Sequence, residues 1–375
     1  MANFIEEYKK GQREQNKGLP MGKGLAHVSS AINGVQKARI YGVAAAPKAG
    51  KSTFVDYAFV IQPILIALEH NVPLEVIYLS FEIDRVSKEF DFVTYFLFAD
   101  FGITHIQLGP GQTKDGKNIV KLSPDYLRGR MQDDENNIIK VKDKIFEAVK
   151  EIYTNRIIPI FGEWSVDGLL IKPGIITFVE QKDNPTGLYK YFLRHAEKNG
   201  RFKRVQMGNS KRIVGYEPND PAKFTIVITD HLRKLLPERG FQKKQTVDKF
   251  IEYSVEIRNL CQYTFVHIIH LNRSMTQMDR LKTFSDLLYP NSDDIKDTGN
   301  LAEDADYVFT IFNPNDERYN LTQHFGKVIK DDEGNELYPD MRTIHLVESR
   351  HCSFPQHFRV NMQGSYKNFE KLVIP

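Results

Sequence analysis

The sequence has almost no cysteine, no long apolar run and no excess of either charge. Only Cys261 and Cys352 occur in 375 residues, too few and too far apart for a disulfide framework or a tetrahedral metal site, and a reducing compartment follows from that scarcity. The amino terminus, MANFIEEYKKGQREQNKG, lacks the apolar stretch that a signal peptide requires. No segment of about 20 residues is free of charge, so no membrane partner is expected. Lys and Arg number 51 against 48 Asp and Glu, a net +3. That excludes a histone-like polycation and makes any nucleic-acid surface a local one. Internal repeats and low-complexity tracts are also missing. The expectation is a soluble, cytoplasmic protein.

What is present suffices for one large core with room for an inserted lobe, since 41% of the residues are hydrophobic and 26% charged. Residues 1–17 are charged and read as a linker or docking helix before the turn-rich Gly18-Leu19-Pro20-Met21-Gly22. Residues 38–44 (ARIYGVA) have the pattern of a buried strand, and Lys51 to Leu68 that of a long, mostly apolar helix. Further strands are expected at 75–81, 224–229, 264–270, 306–311 and 343–347. Helical patterns between several of them predict an α/β fold with a mostly parallel sheet covered on both faces. The stretch 103–222 is less regular, with a polar helix at 134–153 and Gly/Pro-punctuated strands near 157–180. It reads as core elements plus an inserted lobe within a core of 18–375.

The sharpest chemical signal is Ala45-Ala46-Pro47-Lys48-Ala49-Gly50-Lys51-Ser52-Thr53, lying between an expected strand and an expected helix. Small residues let backbone N–H groups curl around phosphates, Lys51 reaches the β/γ-phosphates of ATP, and Ser52 ligates Mg²⁺. Ala45 stands where glycine is commoner. Glu82 closes the next strand, where a carboxylate can orient and deprotonate water, although a lone Glu after a strand is more often a surface residue. Asp230 ends the apolar run FTIVITD, as expected of a second Mg²⁺-holding position. His270 ends TFVHIIH, either as a sensor of the γ-phosphate or as a histidine satisfied at a strand end.

Two basic clusters follow. One, at 187–213, interleaves eight cations with Tyr189, Tyr191, Phe192 and Phe202, which suits strand binding with rings stacked on bases. The other, Arg233, Lys234, Arg239, Lys243 and Lys244, follows Asp230 and is the stronger candidate for DNA contact. A solvated helix face accounts for either run equally well.

Gly18-Leu-Pro-Met-Gly22, the phosphate loop, SFE at 80–82, the strand ending at Asp230, HLNR at 270–273 and SDDIKDTGNLAEDAD at 292–306 stand in the order of the DnaB-type helicase family. The last block resembles the family pattern SDLRxSGxIExDAD. The resemblance implies a RecA-like P-loop ATPase core in its collar-less, phage-like form. It implies a homo-hexameric ring that hydrolyses ATP at subunit interfaces with Mg²⁺, moves 5′-to-3′ on single-stranded DNA, and has a primase or loader as partner. By motif, Lys51, Ser52, Glu82 and Asp230 form the ATP site with His270 as sensor. Arg273, Lys296, Asp297 and Gly299 match DNA-contacting positions, with Lys296 in place of the usual arginine. Arg350 matches the arginine finger, while Glu348 takes the usual lysine position and puts a carboxylate near triphosphate. The other reading is a RecA-like ATPase acting as a nucleotide-switched DNA-binding assembly, loading or recombination factor.

Overall fold

The computed structural model describes residues 18–108, 119–132, 138–208, 210–272, 285–295 and 299–373. The expected docking segment at 1–17 lies outside them. Nine strands form the central sheet: β1 Ile40–Ala45, β2 Leu74–Ser80, β3 Ile176–Val179, β4 Phe224–Asp230, β5 Thr264–His270, β6 Tyr307–Phe312, β7 Met341–Ser349, β8 Gln356–Gln363 and β9 Asn368–Lys371. Their order is β9-β8-β7-β6-β1-β5-β4-β2-β3. From β3 to β6 every pairing is parallel, whereas β7, β8 and β9 extend the sheet antiparallel.

The parallel part follows from composition. Every residue of β1 and β6 is buried, so both faces of the sheet are covered and the strands read as unbroken apolar runs. Four helices concern the site: α1 Lys51–His70, α2 Arg85–Phe101, α3 Pro185–Asn199 and α4 Lys243–Cys261. Helix α1 is long and apolar enough to cross a membrane, but 67% of its most apolar window is buried inside the domain, and it begins at the phosphate loop. It is the core helix of the fold.

The stretch 103–222 holds elements both inside and outside the central sheet. Strand β3 joins the sheet edge beside β2, and α3 packs on α4. The polar helix is seen over Asp143–Ile152 and runs on helically through Phe161, where the sequence pattern predicts strand from about 157. Ile157, Ile160 and Phe161 are buried, and the Phe161 ring meets Phe92 edge-on at 4.9 Å. A short apolar run fits a buried strand or a buried helix equally well. Pro159, which has no N–H to donate, stands just past the π-helical turn Tyr153–Ile157. Three two-stranded ribbons in this stretch lie outside the central sheet, the longest being the hairpin Gly200–Met207 with Ser210–Pro218.

Under the phosphate-loop edge of the sheet lies a fully buried ion pair. Lys88 Nζ on α2 sits 2.7 and 2.9 Å from the two carboxylate oxygens of Asp56 on α1, and the Tyr78 hydroxyl of β2 donates to Asp56 Oδ1 at 2.9 Å. Burial by itself favours a neutral Lys88, but Asp56, with Asp230 and Asp91 nearby, outweighs it and keeps the ammonium charged. The pair fixes the helix that follows the phosphate loop against the helix that follows Glu82. Lys88→Ala leaves Asp56 as an uncompensated buried charge and should cost about 3–5 kcal/mol in chemical denaturation. Removing both charges with Lys88→Met and Asp56→Leu should recover much of that loss; equal losses for the single and double variants would show that the pair is not what stabilises this contact.

Candidate active site

Strand β1 delivers the chain to the sheet's C-terminal edge at Ala45, and the loop 46–50 returns it into α1. Ala45 and Ala49 are buried, Ala46 is half-buried, and Pro47 and Lys48 are exposed. Gly50 takes φ 104°, a left-handed conformation that favours glycine. A Cβ there would also stand 2.1 Å from Sδ of Met362 on β8, a flexible side chain that would have to shift. The helix that follows presents its first N–H groups to the space above the loop. Lys51 and Ser52 are half-buried in that first turn, and Thr53 is buried. Burial lowers the Lys51 pKa, while Asp230 and Glu82 pull it back up.

The parallel register gathers the other groups at the same edge. Asp230 on β4 is level with Ser80 on β2, and Ala45 with His270 on β5. Asp230 is buried, and that burial raises its pKa, with Lys88 and Lys51 opposing and Asp56 and Glu82 reinforcing. Its Oδ2 is buried without a hydrogen-bond partner. An orphaned carboxylate oxygen beside Lys51 and Ser52 fits a divalent cation, because a buried anion needs a compensating charge. The same donors, hydroxyl and carboxylate oxygen, are those that Mg²⁺ prefers.

The Phe81 N–H donates to the Asp230 carbonyl at 2.9 Å, which brings Glu82 alongside the end of β4. Glu82 Oε1 lies 3.1 Å from His231 Nε2 and 3.3 Å from Lys234 Nζ. Burial raises the Glu82 pKa, but His231 and Lys234 outweigh it and hold the carboxyl below its ordinary value. The Arg233 N–H donates to His231 Nδ1 at 3.2 Å, so the imidazole proton sits on Nε2 and points at Glu82. The His231 ring stands edge-on to His270 at 4.6 Å. Burial, with Lys51 and His231, pushes His270 down to about 4, so it is a neutral imidazole at neutral pH.

Lys51, Glu82, Asp230 and His270 thus lie within electrostatic reach of one another, with Ser52 next to Lys51 in the chain. Sequence patterns do not single out His231. Its one signal is adjacency to Asp230, and its role depends on a contact with Glu82, 149 residues away in sequence.

Of the expected DNA-contacting residues, Lys234 is bound to Glu82, Arg239 and Lys244 are exposed, and Lys243 donates to the Leu235 carbonyl. Lys234 and Arg239 lie between β4 and α4, and Lys243 and Lys244 open α4. Arg273, Lys296 and Asp297 lie outside the described residues, and Gly299 begins the helix Gly299–Asp304. The flanks of those segments are joined: Leu271 bridges to Ile295, and the Asn272 N–H donates to the Asp294 carbonyl at 2.7 Å.

Arg350 lies elsewhere. Strand β7 runs antiparallel, Ser349 is level with Tyr307, and Tyr307 is level with Tyr41 at the start of β1. Arg350, which donates to the Glu303 carbonyl, is thus at the opposite end of the sheet from its own phosphate loop. It does not join this chain's site. Two rings of the first basic cluster are corrected too, since Phe192 and Phe202 are buried and cannot be exposed stacking platforms, while Tyr189, stacked on Tyr253 at 4.4 Å, and Tyr191 are half-buried.

No family model and no curated protein matches the sequence. Among the solved structures that match are two that cover 99% of the chain. One is the ATPase domain of a phage protein, at 13% identity and a TM-score of 0.61 over 98% of that chain. The other is a DnaB-like replicative helicase described with its interactions with primase, at 12% identity and a TM-score of 0.61. The fold is that of a DnaB-like helicase ATPase domain. This chain spans 66% of the DnaB-like helicase's length.

In this ATPase fold the phosphate loop depends on Gly50. Gly50→Ala imposes both the Met362 overlap and a left-handed alanine, the latter worth about 1–2 kcal/mol. Weaker binding of a fluorescent ATP analogue is expected in titration. Met362→Ala added to Gly50→Ala should restore only part of the affinity; unaltered affinity in Gly50→Ala would mean the loop is not the nucleotide site.

Proposed function

We propose that this chain is an ATP-driven helicase or translocase on single-stranded DNA that hydrolyses ATP at the subunit interfaces of a homo-hexameric ring. The observation that carries the reading is the clamp on Glu82, whose carboxylate joins the edge of Lys51, Ser52 and Asp230 to Lys234 at the head of the basic segment. Ser52 and Asp230 would hold Mg²⁺, which when bound neutralises charge developing between the β- and γ-phosphates. Lys51 reaches the same phosphates. His231 and Lys234 both engage Glu82 Oε1, leaving Oε2 to orient the attacking water and take its proton.

The clamp also suggests how DNA stimulates turnover. Lys234 is 44% exposed and its pair with Glu82 is weakly held, so a DNA phosphate entering beside Arg239, Lys243 and Lys244 can compete for it. Losing Lys234 frees Glu82 to rotate toward water, while His231 keeps the carboxylate in place. His270, neutral and touching His231, is positioned to register the γ-phosphate. Arg350, remote from its own loop, acts in a neighbour's site as the finger that stabilises transition-state charge. A primase or a loader fits such a ring as partner. One observation favours the second reading, a nucleotide-switched DNA-binding assembly factor with slow turnover: Glu82 is already engaged by two groups.

ATP turnover with and without single-stranded DNA, followed by displacement of a forked duplex, separates the two. Stimulated turnover with strand displacement is expected; hydrolysis that never displaces a strand would leave the switch. Glu82→Gln should keep nucleotide binding and lower turnover by about 10²–10⁴-fold. Lys234→Gln should raise DNA-independent turnover and shrink the stimulation, and an unchanged ratio would remove Lys234 from the coupling. Arg350→Ala and Lys51→Ala should each be inactive, yet regain activity when mixed. Mixed rings as dead as their parents would place Arg350 outside the reaction.

A further inference from the structure

The hairpin Gly200–Met207 with Ser210–Pro218 takes no part in the nucleotide edge. It carries five cations, Arg201, Lys203, Arg204, Lys211 and Arg212, against the single acid Glu217, a net +4 that exceeds the +3 of the whole chain. All five cations are exposed. Two form exposed ion pairs of the kind a phosphate readily displaces, Lys203 to Glu217 at 3.5 Å and Arg204 to Glu197 at 2.8 Å, and Arg204 also lies over the Phe202 ring at 5.4 Å.

The ribbon is anchored at its base, and farther along Ile213 still packs against the core. At its base Phe202 is buried against Tyr216, whose hydroxyl donates to the Ala196 carbonyl at 2.9 Å. The chain that leaves it is fixed by the Asn219 N–H to the Asn199 carbonyl and by Lys223, 2.6 Å from Glu75. Glu75, also bonded to His195, is held down at about 2 despite its burial, so this anchor is charged at any working pH. Beyond the base, Val205 (49%), Met207 (53%) and Val214 (56%) are exposed among the cations.

The position is remote from ATP. Phe224 at this end of β4 and Asp230 at the other are separated by a strand of seven residues, about 20 Å. Two features choose the partner. A two-stranded ribbon with cations on both strands fits the width of a DNA major groove, about 12 Å. Its two rings are packed into the base, so it lacks the platform on which unpaired bases stack.

We propose that this ribbon is a duplex-DNA arm, which grips the phosphate backbone on the opposite end of the domain from the ATP edge. Cations on both strands contact the phosphates flanking a groove, and Val205, Met207 and Val214 meet sugars and base edges. The arm needs neither bound nucleotide nor a neighbouring subunit.

The test replaces Arg201, Lys211 and Arg212, none of which forms an ion pair at the anchor, by Gln, and compares the triple variant with wild type and with Arg201→Lys/Arg212→Lys. Anisotropy of a labelled duplex and of a labelled single strand is read across a salt series, with binding of a fluorescent ATP analogue as the check on folding. Expected are duplex affinity at least ~10-fold weaker and a log affinity against log salt slope shallower by about 2–3 for the Gln variant, normal duplex binding for the Lys variant, and ATP-analogue binding unchanged in both. Unchanged duplex affinity and slope overturn the proposal, as does a wild type that binds no duplex. Loss confined to the single strand overturns the choice of duplex. The motor reading is judged apart: a wild type whose turnover ignores single-stranded DNA fails that reading even where the Gln variant loses duplex binding.

Discussion

The buried pair of Asp56 and Lys88 is the constraint on which the site's geometry depends. Asp56 lies in α1, one turn past Lys51, and Lys88 lies in α2, one turn past Glu82 and the loop that follows it. Two charges taken out of water at that depth are tolerable only when paired and hydrogen-bonded. The Tyr78 hydroxyl from β2 completes the set. The relative placement of the phosphate loop and Glu82 is thereby held by a contact that neither helix can relax without exposing a bare charge. Asp230 sits above the same pair and feels both of its members.

Sheet polarity does the rest of the sorting. Parallel strands β1, β2, β4 and β5 end together, so four side chains that are far apart in sequence arrive at one edge, as ligand sites in open α/β sheets do. Beyond β6 the strands alternate: β7 runs back and ends at the opposite edge, and β8 returns and ends beside the loop. That alternation puts Met362 against Gly50 and Arg350 far from it. The molecule has two chemically distinct ends: an edge of carboxylate, lysine and histidine side chains, and a base where Glu75 and Asp306 tie strand starts together. At that base Asp306 accepts from the Ile40 N–H at 2.8 Å and pairs with Arg258 and His351.

Much of the fold is legible because buried parallel strands leave unbroken apolar runs such as FTIVITD and TFVHIIH, each matching its strand to within a residue. The segment near 157 defeats such a reading because Ile, Pro and Phe in a short run carry no periodicity that separates a buried strand from a buried helix. Strands β8 and β9 leave no clear pattern, since their residues are only partly buried and their pairing is decided by β7. In the basic run at 187–213, charge is visible but burial is not. Phe192 and Phe202 look like stacking platforms along the chain and are core residues in space.

Local chemistry alone specifies the phosphate loop, the carboxylates that end β2 and β4, and the order in which they follow: small residues before a helix, or an apolar run ending in an acid, are complete within a short window. How Glu82 is held is a property of the folded chain. His231 and Lys234 reach it across about 150 residues of chain, its proton partner is fixed by the Arg233 N–H, and the orphaned oxygen of Asp230 exists only once the sheet is closed over it. Long-range contacts of this kind depend on register and burial, and neither is written in any window of sequence short enough to read as a motif.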